Sequence, residues 1–334
     1  MIEIRTCPSN LKEGFDKYSP TAAKALFDGA RVCPILGFDI DEFRNVDMIV
    51  DAMHRISVSG VQEKFPAIVD GDKLRIAGKN ERSTHILKPA PWDRTLRDRK
   101  VIPANEHLTM QIASQVYGIQ TAANGLCFTS KGQAVYVTRR FDILPDGSKL
   151  PMEDFASIIG KNEQAAGLQF KYNGSYEDIA EAIRANVSVW MVDMELFFEL
   201  VVFNYIYANG DAHLKNFSLI RNGNDYRLAP AYDLMNTALH VNGDDLGLDG
   251  GLSPDIEKSD VMERTGHPCR VDFERFGVKI GLVKSRIDKI LDKYTSIPEA
   301  TKTLVDHSFL PDKIKRSYLR IINERVSRFI RESE

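Results

Sequence analysis

Asp211, Asn216 and Asp233 constrain this chain more than any other residues in it. They lie in NGDAHLKNFSLI, which begins at Asn209, and RNGNDYRLAPAYDL, which ends at Leu234. The Asp and Asn are five positions apart and lead into a segment that reads as a hairpin. Residues 217–220 carry a strand signal, Asn222-Gly223-Asn224 a tight turn, and residues 226–229 a returning strand. Asp233 follows in register.

Phosphoryl transfer needs a carboxylate near the acceptor hydroxyl and oxygen ligands for Mg2+. Asp211 can orient or deprotonate that hydroxyl. Asn216 offers a neutral carbonyl oxygen and Asp233 a carboxylate, both hard ligands. His213 and Lys215 lie between them and can reach phosphate oxygens. The D-x-x-x-x-N spacing is that of kinase catalytic loops. Alone it is more often a solvated polar turn. The hairpin and the second Asp favour catalysis.

An upstream lobe can be read as well. Residues 54–69, HRISVSGVQEKFPAIV, alternate apolar positions around a small-residue centre, as a strand, tight loop and strand would. Backbone N–H groups in such a loop can cradle phosphates, although an ordinary polar hairpin gives the same pattern. In STHILKP, Ile86 and Leu87 precede Lys88 as apolar strand residues precede the phosphate-binding Lys of kinases. Leu108, Ile112 and Val116 then recur at helical spacing, with Glu106 in the first turn. A strand Lys followed by a helix Glu is the ion pair that holds the Lys on the phosphates. Residues 135–141, VYVTRRF, read as a strand leading to a hinge.

In this order, SGVQEK, STHILKP, NEH, RRFD, NGDAHLKNFS and APAYDL resemble the HipA family of bacterial Ser/Thr kinase toxins, over roughly Met48 to the C-terminus. The resemblance implies an α+β, two-lobed protein-kinase-like fold that uses ATP and Mg2+. Asp211 matches the catalytic Asp, and Asn216 and Asp233 match the metal ligands. Lys88 matches the strand Lys. Ser59, Gly60, Val61, Gln62, Glu63 and Lys64 match the ATP-covering loop. His213, Lys215 and Tyr232 fall among further nucleotide contacts, and Arg139, Arg140 and Phe141 at the adenine hinge. Ser57 matches the serine that HipA kinases autophosphorylate, and Ser59 is a second candidate. HipA has an acidic residue where Arg139 stands, so backbone contacts are expected at that position. HipA kinases carry a further N-terminal subdomain, and the stretch ahead of Met48 is too short for all of it. That shortness resembles the HipT subgroup, whose missing subdomain is a separate protein, HipS, beside a DNA-binding HipB. Family targets are aminoacyl-tRNA synthetases, the tryptophanyl enzyme for HipT.

We expect an N-lobe over residues 1–145 and a mainly helical C-lobe over 146–334, divided at the turn-rich ILPDGSKLP. The 334 residues are 43% hydrophobic, enough for two cores, and 44 basic against 47 acidic residues give a net charge of −3. A mildly acidic chain is a poor nucleic-acid binder by itself. Cys7, Cys33, Cys127 and Cys269 form no zinc spacing and read as reduced thiols, and MIEIRT has no apolar signal region. Both agree with a cytoplasmic protein. Residues 190–208 are apolar, but Asp193, Glu195, Glu199 and Asn204 interrupt them, so a buried helix fits better than a membrane span. Two other functions are compatible with these residues: a small-molecule kinase of the aminoglycoside-kinase type, and a non-catalytic partner in a DNA-bound repressor complex.

Overall fold

The computed structural model describes residues 3–43, 63–167 and 169–331. The chain divides into two compact units. The first comprises Met1–Lys149, Leu239–Val241 and Ala300–Lys315; the second comprises Leu150–Ala238, Asn242–Glu299 and Arg316–Glu334.

The first unit is built on five antiparallel strands, β1 (Phe65–Asp70), β2 (Lys73–Ile76), β3 (His85–Lys88), β4 (Asn124–Phe128) and β5 (Ala134–Arg139), in the order β2-β1-β3-β5-β4. Phe65, Ala67, Leu87, Val135 and Val137 alternate along their strands onto one face and bury it with Leu26, Phe27 and Cys7. Leu26 and Phe27 come from the helix Pro20–Phe27. Ser19 caps it by accepting the Ala22 N–H at 3.3 Å, Pro20 opens it, and Asp28 closes it in the left-handed region.

The helix Ile102–Gln115 is buried over nearly its whole length, from Ile102 to Ala113. Its polar side chains therefore need internal partners. Asn105 meets His240 at 2.8 Å, His107 Nε2 donates to Ser9 O at 2.6 Å, and Gln111 donates to Asn124 at 2.9 Å. Glu106 takes the ammonium of Lys88.

The second unit carries a small antiparallel sheet, β6 (Met152–Asp154), β7 (Ser218–Asn222) and β8 (Asp225–Leu228), in that order. β7 and β8 form the expected hairpin. Asn222 pairs with Asp225 across Gly223-Asn224, and Gly223 takes φ 65°, as the first centre of a two-residue turn requires. The helix Trp190–Ile206 runs through this unit. Its Asp193 is 1% exposed and accepts from Arg227 Nε at 2.7 Å and the Leu228 N–H at 3.1 Å, which fixes β8 to the helix. The preceding helix, Tyr176–Asn186, begins with a capping box between Ser175 and Asp178. Among the described residues, no helix is long and apolar enough to cross a membrane.

Candidate active site

The chain leaves the helix Trp190–Ile206 through Ala208, which turns at φ 54°. The Asn209 N–H bonds Asn204 O at 2.8 Å. Its carboxamide donates to Asn204 Oδ1 at 2.8 Å and to Asp233 O at 3.4 Å. The Gly210 N–H donates to Thr237 Oγ1 at 2.9 Å. Two glycines then let backbones touch. A Cβ on Gly210 would meet Asp244 O at 2.6 Å, and one on Gly247 would meet Ala212 N at 2.5 Å. The irregular segment around residues 244–247 therefore lies directly against the peptides that flank Asp211.

On this support the structure brings Asn216 beside Asp233, with Asn216 Nδ2 3.5 Å from Asp233 Oδ2. The His213 N–H reaches Asp211 O at 2.8 Å and Asn216 Oδ1 at 3.3 Å, which ties both residues to one turn. Asp233 has φ 57°, a left-handed conformation that costs a non-glycine residue about 1 kcal/mol. Such strain gathers at working sites. Asp211 Oδ1 accepts the Tyr172 hydroxyl at 2.6 Å.

Asn216 and Asp233 fit a hard cation in donor type. Half a turn of the Asn216 carboxamide would place its carbonyl oxygen beside the Asp233 carboxylate, at the cost of the 3.3 Å bond from His213. Among the described residues no cluster of three or more His, Cys, Asp or Glu could hold a metal. A cation here would have two protein ligands, with phosphate and water supplying the others, which is how Mg2+ is usually held.

The neighbouring residues are engaged within the chain. His213 is buried, and burial drives its pKa down to about 4 against the opposing pull of Asp211. Lys215 Nζ pairs with Asp154 Oδ2 at 2.7 Å. Tyr232 donates to Lys215 O at 2.9 Å and meets Ser218 Oγ at 2.5 Å, and burial holds its phenol above the ordinary value.

In the first unit, Lys88 Nζ lies 2.5 Å from Glu106 Oε1, and the Tyr136 ring covers the ammonium at 5.2 Å. Tyr136 is the residue opposite Lys88 across β3 and β5. The Arg139 guanidinium pairs with Asp28. Arg140 makes a forked bond to Asp142, at 3.0 and 2.7 Å, and donates to Ser83 Oγ at 3.0 Å. Both arginine side chains are thus committed inside the unit. Phe141 follows β5 in a turn, half-buried. Glu63 is buried and Lys64 exposed just before β1, while Ser57, Ser59, Gly60, Val61 and Gln62 lie outside the described residues.

Tyr172 is the neighbour of Asp211 that motif reading misses. It is 39 positions away, in a short turn before Asn173-Gly174, and no local spacing links the two.

A family model described as "HipA-like C-terminal domain" matches residues 56–301. A protein of Haemophilus influenzae whose kinase name is itself inferred is 27% identical over 322 residues, covering 91% of this chain and 90% of its own. The serine/threonine-protein kinase toxin HipA of Shewanella oneidensis is 25% identical over 213 residues, 58% of this chain. The chain spans 46% of that relative's length. In the solved complex of Shewanella oneidensis HipA, HipB and operator DNA, one chain matches with a TM-score of 0.61 at 19% identity. The match covers 82% of this chain and 64% of that one. At that identity the likeness establishes the fold, which is α+β, two-lobed and kinase-like.

Proposed function

This chain belongs to the HipA-like C-terminal domain family, and from that premise we propose that it is an ATP-dependent serine/threonine protein kinase acting as a toxin. The observation that carries this reading is the meeting of Asn216 and Asp233 beside the turn that holds Asp211. Asp211 orients the acceptor hydroxyl and takes its proton. Asn216 and Asp233 would hold Mg2+, which when bound neutralises charge on the transferring phosphoryl group. Lys88, paired with Glu106, binds nucleotide phosphates. Glu63 and Lys64, with Ser59, Gly60, Val61 and Gln62, cover the nucleotide, and the backbone at Arg139, Arg140 and Phe141 meets adenine. His213 shapes the turn, and Lys215 and Tyr232 line the site from their fixed positions.

The acceptor class is a protein Ser or Thr, an aminoacyl-tRNA synthetase by the HipA resemblance and the tryptophanyl enzyme by the HipT resemblance. Ser57 and Ser59 are the autophosphorylation sites. A phosphoserine adds about −1.5 to −2 charge at pH 7 and would repel nucleotide phosphates. The partners are a HipS-like antitoxin and a DNA-binding HipB-like protein.

Incubation with Mg-ATP, with and without candidate synthetases, followed by intact-mass and phosphopeptide analysis, tests this. Phosphate on a synthetase and on Ser57 or Ser59 is expected. ATP consumption only with sugars or antibiotics would transfer the chain to the small-molecule kinases. Binding of ATP without any transfer would favour a non-catalytic partner.

A further inference from the structure

Three buried tyrosines of this chain give their hydroxyls to backbone carbonyls. Tyr18 donates to Leu126 O at 2.6 Å, Tyr176 to Ala212 O at 3.0 Å and Tyr205 to Pro268 O at 2.5 Å. A packing role asks for nothing more, since any acceptor satisfies a buried phenol. Tyr172 differs. It is also buried, yet its hydroxyl goes at 2.6 Å to the carboxylate of Asp211.

We infer that Tyr172 is a positioning residue for Asp211: its phenol holds the carboxylate in the one rotamer from which an acceptor hydroxyl can be engaged. The role rests on the kinase reading above.

The phenol is well placed to do this. The Tyr172 backbone is fixed from both sides, by its own N–H to Gln169 O at 2.9 Å and by the Asp249 N–H to its carbonyl at 3.0 Å. Its ring packs edge-on against His213, with centroids 5.2 Å apart. The Lys171 ammonium lies 5.0 Å from the centre of its face. A cation over the ring draws density from the phenol and makes its O–H a stronger donor. A hydrogen bond to an ionised acceptor is among the stronger kinds. Asp211 sits on a loop whose backbone is pinned at the Asn209 N–H, the Gly210 N–H and the Ala212 carbonyl. Tyr172 extends that fixation to the side chain. A catalytic group misplaced by 1 Å can lose on the order of a hundredfold in rate.

Tyr172→Phe keeps the ring and removes only the donor. We expect its Tm to stay within about 2 °C of wild type and its KM for ATP within about twofold, while kcat falls by about 10- to 100-fold. In an Asp211→Asn background the second change, Tyr172→Phe, should leave the residual rate as it is, because the two groups act as one. A crystal structure of Tyr172→Phe should show the Asp211 carboxylate moved or spread over more than one rotamer. Wild-type kcat in the Phe variant, a loss confined to ATP affinity, a further loss in the Asp211→Asn background, or an unmoved carboxylate would each overturn the inference. A wild-type protein without phosphate transfer would overturn the kinase reading itself, and the role of Tyr172 with it.

Discussion

The Lys88 ammonium and the Glu106 carboxylate lie 2.5 Å apart with 3% of each side chain exposed. Taking both charges out of water is costly, and removing one partner leaves the other uncompensated, at about 3–5 kcal/mol. Glu106→Gln and Lys88→Met should therefore each lower the urea midpoint clearly and weaken nucleotide binding. The double variant Lys88→Met/Glu106→Leu should recover much of the stability and none of the nucleotide affinity. Recovery of both in a nucleotide titration would remove Lys88 from the phosphate site.

Asp211 and Asp233 should separate chemistry from binding. Asp211→Asn preserves shape and should lose phosphate transfer by about a hundredfold or more while still binding nucleotide. Asp233→Asn should weaken nucleotide binding only when Mg2+ is present, because on the proposed reading the lost group would be its anionic ligand. Calorimetric titration with and without Mg2+ reads the difference. Equal loss in both conditions would argue against a metal at Asn216 and Asp233.

Gly247 tests the support beneath the loop that carries Asp211. A Cβ there would stand 2.5, 2.7 and 2.8 Å from Ala212 N, C and O, all backbone atoms that cannot step aside cheaply. Gly247→Ala should cost about 1–3 kcal/mol as an overpacking change. It should also depress turnover in the fraction that remains folded, since the displaced peptide follows Asp211. Gly37→Ala, where nothing lies within 4 Å, is the matched control and should change neither. Intact turnover in folded Gly247→Ala would mean that the loop tolerates the shift.

Sequence reading succeeded where chemistry and chain spacing coincide. The turn after Asn209, the hairpin and Asp233 are neighbours in the chain, and local turn and strand preferences place them. The helix carrying Glu106 was legible for the same reason. The partners were not. Tyr172 meets Asp211 across 39 positions, Lys215 meets Asp154 across 61, and Arg139 meets Asp28 across 111. Only the fold makes such pairs. The helix Arg270–Lys279 escaped because Gly277 and Val278 argue locally against it. Packing overrides that preference: a Cβ at Gly277 would lie 2.8 Å from Ile287, so the glycine is what lets the two segments approach. Nor does local sequence say which unit a late segment of the chain joins. Ala300–Lys315 belongs with the first unit, where His307 O accepts from Thr6 at 3.0 Å.

Acid should loosen the chain through His107. This imidazole is fully buried in the helix Ile102–Gln115 and donates from Nε2 to Ser9 O. Burial drives its pKa from 6.5 down to about 4, against the opposing bond to Ser9. Between those values the unfolded chain holds a proton that the folded chain refuses, so stability rises with pH across the window. The contribution is complete above about pH 6.5 and is lost as pH falls toward 4, with an amplitude of about 3 kcal/mol. His85 and His240, also lowered by burial, act in the same direction. His107→Gln keeps a donor near Ser9 and cannot titrate. Urea midpoints measured from pH 7.5 to 4.5 should therefore fall less steeply for the variant than for the wild type, even if the variant starts lower. Parallel curves would show that the proton is refused elsewhere.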